Sequence, residues 1–124
     1  MTLEPTSRAV VLLVEDEPLV RMVGADLLEE AGFEVVEAAN GDEALLVLEA
    51  RPDVRVLFTD INMPGSLDGL ELAQVVHERW PEVGLLVTSG RFNLRSDDIP
   101  NNGQFVAKPY EPAAVVRKLR AMLH

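Results

Sequence analysis

Four short apolar runs in this chain each end in groups that can do chemistry. Glu15-Asp16 follows residues 9–14, Asp60 follows residues 54–59, Thr88-Ser89 closes the run 83–88, and Lys108-Pro109 follows residues 104–107. If the runs are parallel strands, these groups converge on one edge of a sheet. Three carboxylates brought together repel one another and raise one another's pKa values unless a cation sits among them. The chain has no Cys and no suitably spaced His pair, so the ligands are oxygens. Such a set points to Mg²⁺, which takes one or two carboxylates, keeps several waters and accepts a phosphate oxygen. A lysine and a hydroxyl beside that ion suggest phosphoryl transfer to a carboxylate nucleophile, giving an acyl phosphate. The metal and the ammonium would offset charge on the phosphoryl oxygens, and Thr88 would donate a hydrogen bond to the same group.

The elements that position these groups follow from the hydrophobic pattern. Apolar runs alternate with longer amphipathic stretches, the sequence form of repeated βα units around a parallel sheet. Residues 9–14 contain no polar side chain and read as a strand covered on both faces. Pro18 then suits a first helical turn, with Val20, Val23, Leu27 and Ala31 as its apolar stripe and Gly32 as its stop. A second strand spans 33–37. Asn40 with Glu43 opens a second helix that buries Ala44, Leu45 and Leu48, and Asp68 with Glu71 repeats the capping pattern for a third carrying Leu72, Val75 and Val76. Residues 60–68 are a loop rich in turn formers, and Trp80-Pro81 closes the third helix. Residues 89–103 hold two Gly, one Pro, three Asn and two Asp without an apolar stripe, so a fourth helix there is short or absent. Glu111-Pro112 starts the last helix, with Val115, Val116, Leu119, Met122 and Leu123 inward. Right-handed crossovers then give an open, doubly wound α/β sheet whose ligand site lies beyond the carboxyl ends of the strands.

Length and charge narrow the function. The 124 residues make one domain, 48% of them hydrophobic, which is enough for a core. A net charge of −10 disfavours direct contact with nucleic acid or anionic lipid. The absence of Cys excludes disulfides and thiolate sites. No apolar run approaches the roughly 20 residues of a membrane span, and the amino terminus lacks the basic-then-apolar layout of a signal peptide. A cytoplasmic location is expected, with residues 1–8 as an N-terminal extension and 9–124 as the folded domain.

Glu15-Asp16, Asp60-Ile-Asn-Met-Pro64, Asp68-Gly69, Val87-Thr88 and Lys108-Pro109, spaced by 45, 28 and 20 residues from Glu15 through Asp60 and Thr88 to Lys108, resemble the receiver domains of two-component response regulators over essentially the whole chain. The resemblance implies a flavodoxin-like (βα)₅ fold with strand order 2-1-3-4-5. It implies that Asp60 accepts a phosphoryl group from a phosphohistidine on a histidine kinase or phosphotransfer protein. Asp16, Asp60 and the carbonyl of Asn62 would bind Mg²⁺ directly and Glu15 through water. Thr88 would be the switch hydroxyl, Lys108 the phosphoryl contact before a cis Pro109, and Phe105 the switch aromatic that turns inward with Thr88. The protein would be a signalling switch rather than an enzyme with an external substrate, a monomer or weak homodimer acting on a downstream protein. Nothing after Leu123-His124 suggests an output domain, so a stand-alone receiver of the chemotaxis type is expected.

Three features depart from the common pattern. Glu15 stands where Asp is usual, residues 64–68 carry one extra residue, and residues 89–103 lack a regular helix. Two other functions stay in view: a Mg²⁺ phosphatase of the haloacid-dehalogenase type, which places its nucleophile after the first strand instead of the third, and a phosphate-independent interaction module. Taken alone, His77 reads as a solvated surface residue and Trp80 as helix-end packing.

Overall fold

Runs of β-branched and apolar residues form five strands, β1 Val10–Val14, β2 Glu34–Ala38, β3 Val54–Asp60, β4 Gly84–Ser89 and β5 Gln104–Ala107. In this computed structural model, which describes residues 8–90 and 94–123, all strand pairings are parallel and the order is β2-β1-β3-β4-β5. The order and the doubly wound α/β class are those expected. Strand β1 is buried along its whole length, as its lack of polar residues requires. The strand limits of β2 and β4 fall one residue later than the sequence pattern places them. The proposed extension over 1–8 lies, apart from Arg8, outside the described residues, as does His124.

Helices α1 Pro18–Glu30 and α4 Pro112–Met122 cover one face of the sheet, and α2 Gly41–Ala50 and α3 Gly69–Arg79 the other. On the first face Leu28 and Leu119 meet Val11, Leu13 and Phe58; on the second Leu48, Leu72 and Val76 meet Leu12, Val14 and Leu57. The caps are those the sequence offers. Asn40 accepts from the Glu43 N–H, and Asp68 and Glu71 form a reciprocal capping box. Pro18 and Pro112 occupy first turns, where a missing N–H costs nothing. The extra length before α3 is taken up by a turn at Gly65 (φ +112°), and Ser66 Oγ donates to Asp42 across to α2. Helix α3 therefore still begins directly after Asp68.

Two expectations need correction. The stripe of α1 that faces the sheet is Gly24, Ala25 and Leu28, whereas Val20 and Val23 point to solvent. Helix α1 can lie close to the sheet because Gly24 has no side chain: a Cβ there would come within 3.2 Å of Leu13 Cδ2. His77 is half-buried, and its Nδ1 is buried without a hydrogen-bond partner. Trp80 packs at the end of α3 as expected, with the Arg79 guanidinium 4.4 Å from the centre of its ring.

Between β4 and β5 no α-helix occurs among the described residues. Two 3₁₀ turns, Ser96–Asp98 and Pro100–Asn102, take its place, and Asn101 and Asn102 adopt positive φ (59° and 53°). Residues 91–93 of the proposed irregular segment lie outside the described residues. Ile99 carries the connection into the core, and Asn101 Nδ2 donates to the carbonyls of Pro81 and Val83. No helix among the described residues is long and apolar enough to cross a membrane.

Candidate functional site

The carboxyl ends of β1, β3, β4 and β5 place Glu15, Asp60, Thr88 and Lys108 around one small mouth. Asp60 is the last residue of β3 and pairs in register with Thr88 of β4. Its carboxylate is nearly buried and both oxygens are held. The Asn62 N–H donates to Oδ1 at 3.0 Å, and Lys108 Nζ donates to Oδ2 at 2.7 Å. The same ammonium donates to Glu15 Oε1 at 3.2 Å, while Glu15 Oε2 accepts the Glu17 N–H at 3.1 Å. Asp60 and Glu15 thus share one lysine, which lies across a cis peptide from Pro109 as expected.

Burial pushes the Glu15 carboxyl above the usual glutamate range and the Asp60 charge adds to that, against the pull of the Glu17 N–H and of Lys108. Repulsion among carboxylates is thus the lesser cause, and loss of water the greater. Burial alone would lower the Lys108 pKa, but its bonds to Asp60 and Glu15 outweigh that and hold it above the ordinary lysine value. The ammonium therefore stays charged at any ordinary pH.

One oxygen from each of Glu15, Asp16 and Asp60 lies within 4.8 Å of the others, so the three expected carboxylates do come together. A donor set of carboxylates without sulfur or imidazole suits a hard divalent cation. Thr88 is buried beside Asp60, and its hydroxyl has no hydrogen-bond partner. Phe105 pairs in register with Val87 and is half-buried on the α2/α3 face. The carboxylates, Thr88 and Lys108 thus share the mouth, whereas Phe105 lies in the core layer one strand away.

Three supporting residues had no role of their own in the sequence reading, where Gly69 and Ser89 were named only within Asp68-Gly69 and Thr88-Ser89. Arg21, on the first turns of α1, donates to the Glu15 carbonyl at 2.7 Å and pairs with Glu37 at 3.3 Å, tying the acidic turn to the end of β2. A cation one turn into the helix after an acidic pair is the signal that points to it. Gly69 lies so close to the acceptor that a Cβ would run into the Asp60 carbonyl and Ile61 Cα. Ser89, the last residue of β4, donates to Asn62 Oδ1 at 3.0 Å.

An open apolar groove of about 740 Å³ borders this mouth, lined by Leu19, Val20 and Val23 of α1 and by Lys108, Pro109 and Tyr110. Tyr110 also packs its ring against Phe58, with the ring centres 5.8 Å apart.

The sheet order and this strand-end cluster define a receiver-type domain. A family model for the response regulator receiver domain matches residues 11–120, and the chain belongs to that family of phosphorylatable signalling switches. It is 31% identical to the transcriptional regulatory protein ResD of Bacillus subtilis over 98% of its own length. It is 30% identical to the chemotaxis protein CheY1 of Helicobacter pylori over 90% of this chain and 94% of that protein. The chain spans half the length of ResD. Among solved structures, the receiver domain of the hybrid histidine kinase CckA superposes with a TM-score of 0.80 at 31% identity, covering 93% of this chain and 99% of that one.

Proposed function

We propose that Asp60 accepts a phosphoryl group from the phosphohistidine of a histidine kinase or phosphotransfer protein, and that the modification switches binding of a downstream protein or passes the group along a relay. The observation that carries this reading is the Lys108 ammonium shared by Asp60 and Glu15 beside the unpartnered hydroxyl of Thr88. In the transfer a lone pair of an Asp60 carboxylate oxygen forms the bond to phosphorus. The P–N bond to the donor histidine breaks, and its electron pair returns to the imidazole. Lys108, already directed at Asp60, then offsets charge on the phosphoryl oxygens.

Glu15, Asp16, Asp60 and the Asn62 carbonyl would hold Mg²⁺, Glu15 acting through water. When bound, the ion supplies further neutralisation of the transferring group. A buried hydroxyl without a partner carries a cost of about 1–3 kcal/mol, so a phosphoryl oxygen within reach draws Thr88 toward Asp60. Phe105, half-buried on the neighbouring strand, fills the space that Thr88 leaves, and a local charge becomes a change of surface.

A donor histidine has to approach Asp60 over the rim formed by Lys108, Gly90 and α1. The apolar groove is continuous with that rim, and its exposed leucine and valines are the docking ground for the donor protein. Acidic charge elsewhere on the molecule speaks against nucleic acid or anionic membrane as a direct partner. In this reading the domain acts in the cytoplasm, as a monomer or weak homodimer, and turns over no external substrate.

Intact-protein mass spectrometry after incubation with acetyl phosphate and Mg²⁺ tests the chemistry. The expected result is a gain of one phosphoryl group, absent in Asp60→Asn and in the presence of a chelator. A gain retained by Asp60→Asn refutes the assignment of the acceptor.

A further inference from the structure

The turn that carries Glu15 and Asp16 into the mouth has little local support. Helix α1 begins without a side-chain cap, and among the described residues no hydrogen bond or ion pair reaches the Asp16 carboxylate. Asp16 therefore takes its direction from the backbone beneath it. That backbone is held from β2. The Glu15 N–H donates to the Ala38 carbonyl at 3.1 Å. Arg21 Nη1 donates to the Glu15 carbonyl at 2.7 Å, while its Nε donates to Glu37 Oε1 at 3.3 Å. The Glu15 carbonyl belongs to the planar peptide unit that ends at the Asp16 Cα, so fixing its oxygen fixes the direction in which the Asp16 side chain leaves. Arg21 is the fourth residue of α1, where the helix dipole disfavours a cation. Its side chain is nonetheless only 21% exposed and uses two nitrogens on the turn and on β2.

We propose that Arg21 is a positioning residue that sets the cation selectivity of the mouth, holding Asp16, through the Glu15 carbonyl, in the geometry that Mg²⁺ demands. The inference rests on the acidic trio binding that ion. Mg²⁺ requires near-octahedral ligands at about 2.0–2.1 Å, whereas Ca²⁺ takes about six to eight oxygens at about 2.3–2.6 Å in flexible arrangements. A carboxylate whose backbone is free to rock therefore costs Mg²⁺ much and Ca²⁺ little. The guanidinium acts here through its shape. A planar fork with separate nitrogens serves the carbonyl and Glu37 together, and a single ammonium on a flexible stem cannot hold both in one plane. Charge alone predicts the reverse effect. A cation near three carboxylates repels an arriving metal ion, so its removal would tighten the binding of every divalent cation.

The test titrates the full, unphosphorylated chain with MgCl₂ and, separately, with CaCl₂, following backbone amide shifts in ¹⁵N NMR. Arg21→Gln is expected to weaken Mg²⁺ binding about tenfold and Ca²⁺ binding by no more than about twofold, so the ratio of the two affinities falls. Arg21→Lys, which keeps the charge without the fork, should lose Mg²⁺ affinity as Arg21→Gln does. Glu37→Gln, at an exposed position outside the core, should move Mg²⁺ binding in the same direction by about two- to threefold. Asp16→Asn should lose both cations. An equal loss of both cations in Arg21→Gln, a tightening of both, or recovery of Mg²⁺ affinity in Arg21→Lys overturns the proposal and leaves the metal site standing. If Arg21→Gln does not fold, the comparison is read in Glu37→Gln, where an unchanged ratio overturns the proposal. A parent protein that binds no Mg²⁺, or an Asp16→Asn variant that binds it as the parent does, overturns the site and the proposal together.

Discussion

Helices α1 and α3 each follow a strand that delivers a carboxylate to the site, yet they are built in opposite ways. Helix α3 is locked into the fold. Asp68 and Glu71 cap it reciprocally, Leu72, Ala73 and Val76 are buried, and Gly69 rests on the acceptor's backbone. Helix α1 has no side-chain cap, and the backbone N–H of its N-cap residue, Glu17, donates to Glu15 in the site. It buries mainly small residues and leaves Leu19 and Val23 71% and 65% exposed. The helix behind the acceptor is rigid support, and the helix beside the acidic pair is an apolar surface facing outward. A contiguous exposed apolar patch at the rim of a reactive site is a place for a partner.

Substitutions separate these two roles. Leu72→Ala in α3 should cost about 2–5 kcal/mol, as for other fully buried leucines, read as a lower midpoint in urea denaturation. Gly69→Ala should cost about 1–3 kcal/mol, because the added methyl has backbone and not a flexible side chain to displace. It should also slow phosphoryl incorporation by moving Asp60, a combination that Leu72→Ala would not show at a temperature where both variants are folded. Removing the cap with Asp68→Ala should cost about 1 kcal/mol, while Glu17→Ala at the matching position of α1 should stay within about 0.5 kcal/mol in thermal melts.

On the α1 side, Tyr110 provides a pH test with a single reporter, since the chain has one tyrosine. Burial raises its pKa above the ordinary value of 10.0, against the opposing charge of Lys108. The folded state then holds a phenolic proton that the unfolded chain has released. Its contribution to stability is present below pH 10 and is lost as pH rises from there through the raised value. Tyrosinate absorbance should titrate later in the folded protein than in urea, and an earlier titration would contradict the packed position under α1. The smallest effect belongs to α1's outer face: Val23→Ser should change stability by no more than about 0.5 kcal/mol while slowing transfer from a protein donor and sparing transfer from acetyl phosphate. Equal slowing with both donors would break the distinction between support and docking surface.

The sequence was most readable where one residue type answers one physical demand. An all-apolar β1, the Asp68/Glu71 pair, Pro18 at a first turn and the run of turn formers after Asp60 each allow a single local structure, and each was found in place. Glu15, Asp16, Asp60, Thr88 and Lys108 were legible for the same reason, since strand ends on a parallel sheet share an edge. The stripe of α1 was not. That helix carries two candidate faces, one of larger apolar residues and one built around Gly24 and Ala25, and periodicity cannot tell which meets a close-lying sheet. Arg21 escaped because its role depends on the Glu15 carbonyl and on Glu37, brought near by packing, which no spacing along the chain records.

The lysine shared by Asp60 and Glu15 also sets the terms on which any cation reaches those oxygens. Two of the three carboxylates thus share a counterion that the chain itself supplies. A divalent cation arriving at the three carboxylates would have to compete with an ammonium already bonded to two of them. That competition would weaken net binding, so occupancy would follow the concentration of free ion. Under the proposed function, a site that is phosphorylated, read and cleared again would gain from that reversibility more than from tight capture.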